Sequence, residues 1–388
     1  MRIAINAIPI QPGGGLTVLR GLVNGLRASR PTWRITVLTG NDATHKSVVS
    51  LGGASDVDRA LTGTNSANAL LWQNTRLGSL LRKRGVEVLI GFNHYQLNVS
   101  CPQIIYHLNL RRFSWAYRSR RPSTALQEEL RDWLARRALR RADANVFESR
   151  FLRDAATLAT GRKPRNVDVI YIGLPDTLLD APDDKPSVTN ESRRLVAITS
   201  PAPHKDNSTL IRTLARLARK EPQQDWHLDI VGGVDPAAWA PMRQLADVLG
   251  MGGRITWHGF RDHDAITHLL RGALCLISTS QLESFAMVAL EAMAQSCPPI
   301  VANCAAMPES IGDAGLLAIP GTPASFADAV LRIASEPGLR EQLVSRGYDW
   351  IRNFRWSRCG AAFAETIEAL ARNEVSPGNS RDQTSTAA

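Results

Sequence analysis

Apolar positions in this 388-residue chain follow two alternating periods. Short runs dense in branched residues, "RIAINAIPI", "WRITVLTG", "GVEVLIGF" and "PQIIYHLN", read as buried strands. Between the first two, Val18, Leu19, Leu22, Val23 and Leu26 recur at helical spacing in "TVLRGLVNGLRA". The opening is therefore strand, glycine loop, helix, strand: a βαβ unit, which implies a parallel sheet. "TALQEELRDWLARRALRRA" reads as a long helix and "DANVFESR" as a short strand leading into another. "YIGLPDTLLDAPDDKPSVTNESRR", rich in Pro, Asp, Ser and Asn, reads as a linker. The alternation then restarts, with strands at "RLVAITS", "WHLDIVGG", "RITWHGF", "LCLIST" and "PPIVAN". Helical patterns at "NSTLIRTLARLARK", "PAAWAPMRQLADVLG", "HDAITHLLRGA" and "FAMVALEAMAQ" separate them. "FRWSRCGAAFAETIEALAR" is a last helix, and the polar tail 374–388 is expected to be disordered. The pattern predicts two successive α/β domains, 1–175 and 193–354, joined by a linker at 176–192.

Composition narrows the class. At 44% hydrophobic and 21% charged, the chain has the balance of a globular protein. No apolar run approaches the roughly 18–20 residues of a membrane span. The start lacks the apolar core and cleavage site of a signal peptide. The five cysteines show no metal-ligand spacing and read as reduced thiols, so the expected location is cytoplasmic. The net charge of +10 favours an anionic partner: nucleic acid, an anionic membrane surface or a phosphorylated small molecule.

Three features carry candidate chemistry. Gly13, Gly14 and Gly15 lie between a strand and a helix, where backbone amides can approach a phosphate closely, although "GGGLT" matches neither a dinucleotide nor a P-loop fingerprint. Lys205, in the loop of "SPAPHKDNSTL" with Asn207 or Ser208 as the expected helix cap, can reach a phosphate at the sheet's carboxyl edge. In "QLESFAMVALEAMAQ" a helix is expected from about Ser284 or Phe285. Its apolar stripe is Phe285, Val288, Ala289, Ala292 and Met293, and Glu291 lies off that stripe and need not be buried. The first N–H groups of this helix, around Ser284, Phe285 and Ala286, suit a diphosphate. Glu283 and Glu291 could then each accept hydrogen bonds from paired hydroxyls at opposite ends of one ligand. Taken singly, each feature also fits an ordinary surface loop, lysine or glutamate.

In this combination and order, the chain resembles the retaining nucleotide-sugar glycosyltransferases of the GT-B fold, glycosyltransferase family 4 (glycosyl transferases group 1). The resemblance covers most of the second half, from "RLVAITSPAPHKDNSTLIRTLARL" through "LDIVGG", "RITWHGF" and "QLESFAMVALEAMAQSCPPIVAN" to "MPESIGDAGLL". "QPGGGLTVLRGLVNGL" looks like the family's N-terminal glycine loop and first helix. It implies two Rossmann-like α/β domains facing a central cleft, with a C-terminal helix, 355–373, packing back on the first domain. It implies that Glu283 contacts the donor sugar and Glu291 the ribose. Lys205 holds the diphosphate, with Gly14 and Gly15 closing on it. Gly259, Phe260 and Arg261 cradle the base, and His107 stands near sugar and acceptor as a third catalytic group. The implied reaction moves a hexose-type sugar from a nucleotide-diphosphate sugar to a glycan or lipid-linked acceptor, with retention, as in bacterial surface polysaccharide or glycolipid synthesis. No catalytic metal or other cofactor is implied, and "DVD" at Asp56, Val57 and Asp58 is discounted as a metal match. The family's E-G-F-G is "ESFA" here, its A-x-G-x-P is "AQSCPP", and no arginine precedes Lys205 in "TSPAPHK". These departures leave open the alternative of a non-catalytic partner subunit that binds nucleotide sugar.

A second surface stands out in the first domain. "NLRRFSWAYRSRRP" interleaves arginines with Phe113, Trp115 and Tyr117. The following helix adds Arg131, Arg136, Arg137, Arg140 and Arg141 beside Trp133. This stretch, from Arg111 to Arg141, could lie on an anionic membrane, making the enzyme peripheral on the inner face of the plasma membrane. No nucleic-acid-binding signature accompanies it.

Overall fold

The computed structural model describes residues 1–52, 54, 56–59, 66–93, 95–114, 122–161, 164–180, 193–233, 235–372 and 381–382. The chain forms two compact units, 1–176 with 354–388, and 177–353.

In the first unit the strands are β1 (Arg2–Ala7), β2 (Arg34–Thr39), β3 (Asp56–Arg59), β4 (Val88–Phe92), β5 (Gln103–His107), β6 (Ala144–Phe147) and β7 (Val167–Val169). The second unit contributes β8 (Arg194–Ile198), β9 (His227–Val231), β10 (Ile255–Gly259), β11 (Cys275–Ser278), β12 (Pro299–Ala302) and β13 (Leu316–Ala318). In the polar tail Arg381–Asp382 form a two-residue strand, β14, beside β7 in the first sheet; the rest of 374–388, like 181–192 of the expected linker, lies outside the described residues. Every described strand pairing is parallel. β4 and β5 are buried along their whole length, because helices cover both faces of a parallel sheet.

The strand orders are β14-β7-β6-β5-β4-β1-β2-β3 and β10-β9-β8-β11-β12-β13. Each reverses direction once, between β1 and β4 in the first sheet and between β8 and β11 in the second. At such a switch point the loops leaving adjacent strands diverge to opposite faces and open a crevice at the carboxyl edge. The glycine loop 13–15 follows β1, and Lys205 and Glu283 follow β8 and β11.

The helix Gly14–Ser29 packs against the C-terminal helix Trp356–Ala371 within the first unit. The two backbones meet at glycines. A Cβ on Gly25 would stand 2.1 Å from the Trp356 carbonyl oxygen, and one on Gly360 would stand 2.0 Å from the Gly25 carbonyl carbon. Arg30 clamps the same pair of helices through Nε and Nη2 to Glu368, at 2.6 and 3.1 Å. The chain thus returns to the first unit after completing the second.

Several elements escape simple patterning. The Asp56–Asp58 segment is an edge strand, and its carboxylates face Arg84, Asp58 at 2.6 Å and Asp56 at 4.0 Å. Helices Pro323–Ser335 and Leu339–Ile351 complete the second unit. No helix among the described residues is long and apolar enough to cross a membrane. All five cysteines are free thiols.

Candidate active site at the switch point of the second unit

The phosphate-loop candidate is built from the end of β8. Residues Pro203–Lys205 form one 3-10 turn, and Asp206 takes the left-handed conformation, φ 46°. Asp206, rather than the expected Asn207 or Ser208, caps the helix Asn207–Lys220. Its carboxylate accepts from the Thr209 N–H at 3.4 Å, the Thr209 hydroxyl at 2.8 Å and the Ser208 hydroxyl at 3.0 Å. A charged cap at a helix N-terminus is favourable in the helix dipole. Asn207 is instead the first helical residue, and it ties back to the strand end through Thr199 Oγ1 at 3.0 Å and the Ser200 carbonyl at 2.8 Å.

The loop leaving β11 is stitched to this turn. Thr279 Oγ1 lies 3.0 Å from the carbonyls of both Lys205 and Asp206; the Gln281 N–H donates to the His204 carbonyl at 2.8 Å, and Gln281 Nε2 to Asp206 at 2.8 Å. These contacts hold the two loops in register. Lys205 Nζ accordingly meets Glu283 Oε1 at 2.5 Å, each side chain about one-fifth exposed. A partly exposed pair of this kind adds only about 1 kcal/mol or less to stability. Its importance is positional: it places a cation and a carboxylate side by side at the mouth of the crevice.

The following helix starts later than its sequence suggests. It runs Met287–Met293, so Ser284, Phe285 and Ala286 precede it. The Ala286 N–H donates to Ser310 Oγ at 2.9 Å, so it is already committed and does not serve a phosphate in this arrangement. Ser284 and Ala286 are absent from the positive-φ residues, so neither position requires glycine for its backbone. At Ser296, by contrast, φ is 60°, in the region glycine favours. A hydrogen bond of 2.6 Å to Tyr348 Oη and one from Arg340 Nη2 to the Ser296 carbonyl at 2.9 Å hold it there. Two of the three replaced glycines thus leave no backbone strain, and the third is compensated.

Glu291 departs from its expected freedom. It is half-buried, and among the described residues no donor reaches it. Burial alone pushes its pKa up to about 7.

Gly259, Phe260 and Arg261 stand together at the end of β10. Gly259 has φ 65° and its carbonyl accepts from the Gly232 N–H at 2.7 Å; Phe260 is 71% exposed, and Arg261 Nη1 donates to the Phe260 carbonyl at 3.1 Å. Gly232 itself sits where a Cβ would lie 2.1 Å from the Thr199 carbonyl oxygen, so only glycine lets the loops after β8 and β9 touch. Thr279, Asp206, Gln281 and Gly232 were not singled out by sequence. Only "GG" after a strand hinted at the last, and nothing in the spacing links Thr279 to Lys205 across 74 residues.

In the first unit, a Cβ on Gly14 would meet nothing within 4 Å and one on Gly15 only the Ile10 side chain at 3.6 Å, so the loop is open at the head of its helix. No side chain caps that helix. His107 lies at the end of β5. It has no exposed surface, stacks on Phe147 at 4.7 Å and makes a 2.9 Å contact from Nε2 to Asn145 Oδ1. The imidazole is thus enclosed among the strands of the first sheet. The arginine-rich surface is also less cationic than its sequence suggests. Arg112 pairs with Glu128 at 2.8 Å and Asp132 at 3.3 Å, and Arg131 with Glu128 at 3.3 Å. Leu130 and Trp133 remain about half exposed, with Arg137 over the Trp133 ring at 5.3 Å. Trp115 and Tyr117 lie outside the described residues. Among the described residues no group of three or more His, Cys, Asp or Glu side chains is arranged to hold a metal ion.

The two α/β units define the class: this is the GT-B glycosyltransferase fold. HepE of Anabaena in complex with UDP-glucose superposes with a TM-score of 0.74 over 95% of this chain and 100% of its own, at 18% identity. Sucrose-phosphate synthase of Thermosynechococcus elongatus superposes with a TM-score of 0.72 over 96% of this chain and 100% of its own, also at 18% identity. Residues 182–350 of the chain match the family described as glycosyl transferases group 1. Similar relatives include D-inositol 3-phosphate glycosyltransferase of Corynebacterium efficiens, 28% identical over 53% of this chain and 51% of the relative. The human alpha-1,3/1,6-mannosyltransferase ALG2 is 27% identical over 54% of each chain. The chain therefore spans about half the length of these curated relatives.

Proposed function

We propose that this protein is a retaining glycosyltransferase of family 4 that moves a hexose-type sugar from a nucleoside-diphosphate donor to a glycan or lipid-linked acceptor, without a catalytic metal. The observation that carries the reading is the Lys205–Glu283 pair at the switch point of the second sheet, inside the family match. The HepE structures hold UDP and UDP-glucose, which supports a nucleotide sugar as the donor class.

The chemistry follows from the pair. An arriving diphosphate offers Lys205 a stronger anionic partner than one carboxylate. Drawn toward it, the ammonium neutralises charge that grows on the leaving oxygen as the glycosidic bond breaks. Glu283, released, accepts hydrogen bonds from the sugar hydroxyls. Glu291 takes the ribose diol, and the Gly259–Phe260–Arg261 turn takes the base. The acceptor hydroxyl attacks from the face that the diphosphate leaves, and its proton passes to the departing diphosphate oxygen. This retains the anomeric configuration and requires no covalent sugar–enzyme intermediate. The exposed Leu130 and Trp133, with Arg140 and Arg141, support contact with an anionic membrane surface, as a cytoplasmic enzyme of polysaccharide or glycolipid synthesis would need.

A thermal-shift series with UDP, GDP, ADP, dTDP and CMP, with and without magnesium, tests the donor reading. A ligand at about 100 times its Kd stabilises the native state by about 2.7 kcal/mol. One nucleotide raising the melt without metal is expected. Transfer or donor hydrolysis that Lys205→Ala and Glu283→Ala abolish would establish catalysis. Binding without turnover would favour a non-catalytic partner subunit, and turnover unchanged in the double variant would refute the site.

A further inference from the structure

Strand β10 is irregular where it matters. It pairs with β9 from Ile255 to Trp257 in register, and then Gly259, not His258, meets Val231. His258 is thus the extra residue of a bulge, a device that re-aims side chains beside functional loops. Its Nε2 lies 2.8 Å from Asp229 Oδ1 on β9, and Asp229 Oδ2 accepts from Arg194 Nη2 on β8 at 2.6 Å. Asp229 has no exposed surface, His258 little, and Arg194 about half. A carboxylate enclosed so completely is strongly unfavourable unless its oxygens are satisfied. Asp229 therefore demands a donor where His258 stands, and this demand pins the bulge. The chain leaves the bulge directly into left-handed Gly259 and then the exposed Phe260 and Arg261.

We infer that Arg194, Asp229 and His258 form a clamp across three strands that positions the Gly259–Phe260–Arg261 turn and thereby sets which base of a nucleoside diphosphate this protein prefers. These are positioning residues, and the inference rests on the proposed donor reading. The protein main chain at the turn can discriminate between bases only while its pose is held; a loosened turn accommodates several. Negative selection against the wrong base is then lost before affinity as a whole.

Calorimetric titration of UDP, GDP, ADP and dTDP into wild type, His258→Ala, His258→Gln and Arg194→Ala tests it. His258→Ala should weaken the preferred nucleotide roughly ten-fold, the scale of one lost hydrogen bond to a charged group, and flatten the ratios among bases. His258→Gln, which keeps an N–H donor for Asp229, should restore the wild-type ratios. Arg194→Ala should flatten them by less. Wild-type ratios in His258→Ala, or an equal loss for every base, would overturn the proposal. If His258→Ala does not fold, the opposed expectations for the other two variants decide. A wild type that binds none of the four overturns the donor reading itself and this proposal with it, a failure visible before any variant is compared.

Discussion

Glu291→Gln isolates the most perturbed carboxyl of the candidate site. Burial raises Glu291 from its ordinary 4.5 to about 7. The folded chain therefore holds a proton that the unfolded chain has released. That contribution to stability is fully present below 4.5 and is lost as pH rises to about 7. At 1.36 kcal/mol per pKa unit, ionisation of Glu291 costs the fold about 3 kcal/mol by pH 8 and under about 1 kcal/mol at pH 5. Glutamine is neutral at both pH values and nearly the same size. The variant should match wild type within about 1 kcal/mol at pH 5 and exceed it by about 3 kcal/mol at pH 8. Pulse hydrogen exchange in a urea series, read on peptides spanning 275–302, measures the second unit without assuming that the whole chain unfolds in one step. A difference between variant and wild type that does not change with pH would refute the reasoning. On the proposed reading a bound ribose would supply donors to the ionised form, so nucleotide binding to wild type at pH 6 should also release a proton, and binding to the variant should not.

Glycine contacts in the first unit give a sharper structural test. Gly25→Ala or Gly360→Ala forces a methyl into backbone atoms about 2 Å away and should destabilise the unit by about 3 kcal/mol or more, seen as a lower urea midpoint. On the proposed reading, Lys205→Ala and Glu283→Ala should each lower kcat/KM by roughly a hundred-fold or more, with less than additive loss in the double variant, because each side chain holds the other in place beside the same donor. Ser296→Gly relieves a left-handed serine but removes the Tyr348 hydrogen bond, so stability should change by under about 1 kcal/mol, whereas Tyr348→Phe alone should lower it by about 1 kcal/mol. Trp133→Ala should weaken sedimentation with anionic vesicles several-fold and leave donor binding unchanged.

The alternation of strand and helix periods was legible from the residues because it depends only on near neighbours. Helix Asn207–Lys220 follows its pattern residue for residue, and β1, β2, β4 and β5 lie within the apolar runs that predict them. Short or polar elements were not legible. β3 contains "DVDR", whose carboxylates find Arg84 only in the folded sheet, and β7 has three residues. The candidate lysine and glutamates could be named from motif order. The late start of the helix at Met287 could not, since it depends on Ser310, 24 residues away, taking the Ala286 N–H. The burial of His107 was not legible in sequence, because it depends on Phe147, which stacks on it from 40 residues away.

The sequence by itself determined the two α/β halves, the helix faces and the residue types at the site, because period, charge and turn chemistry are local properties. Tertiary structure alone decided the strand orders, and with them the switch point that brings Lys205 to Glu283 across 78 residues. It also decided that Asp229 is enclosed between Arg194 and His258, and that Glu291 is short of water. Those outcomes depend on which strands become neighbours, and that is set by the packing of the whole sheet rather than by any segment of it.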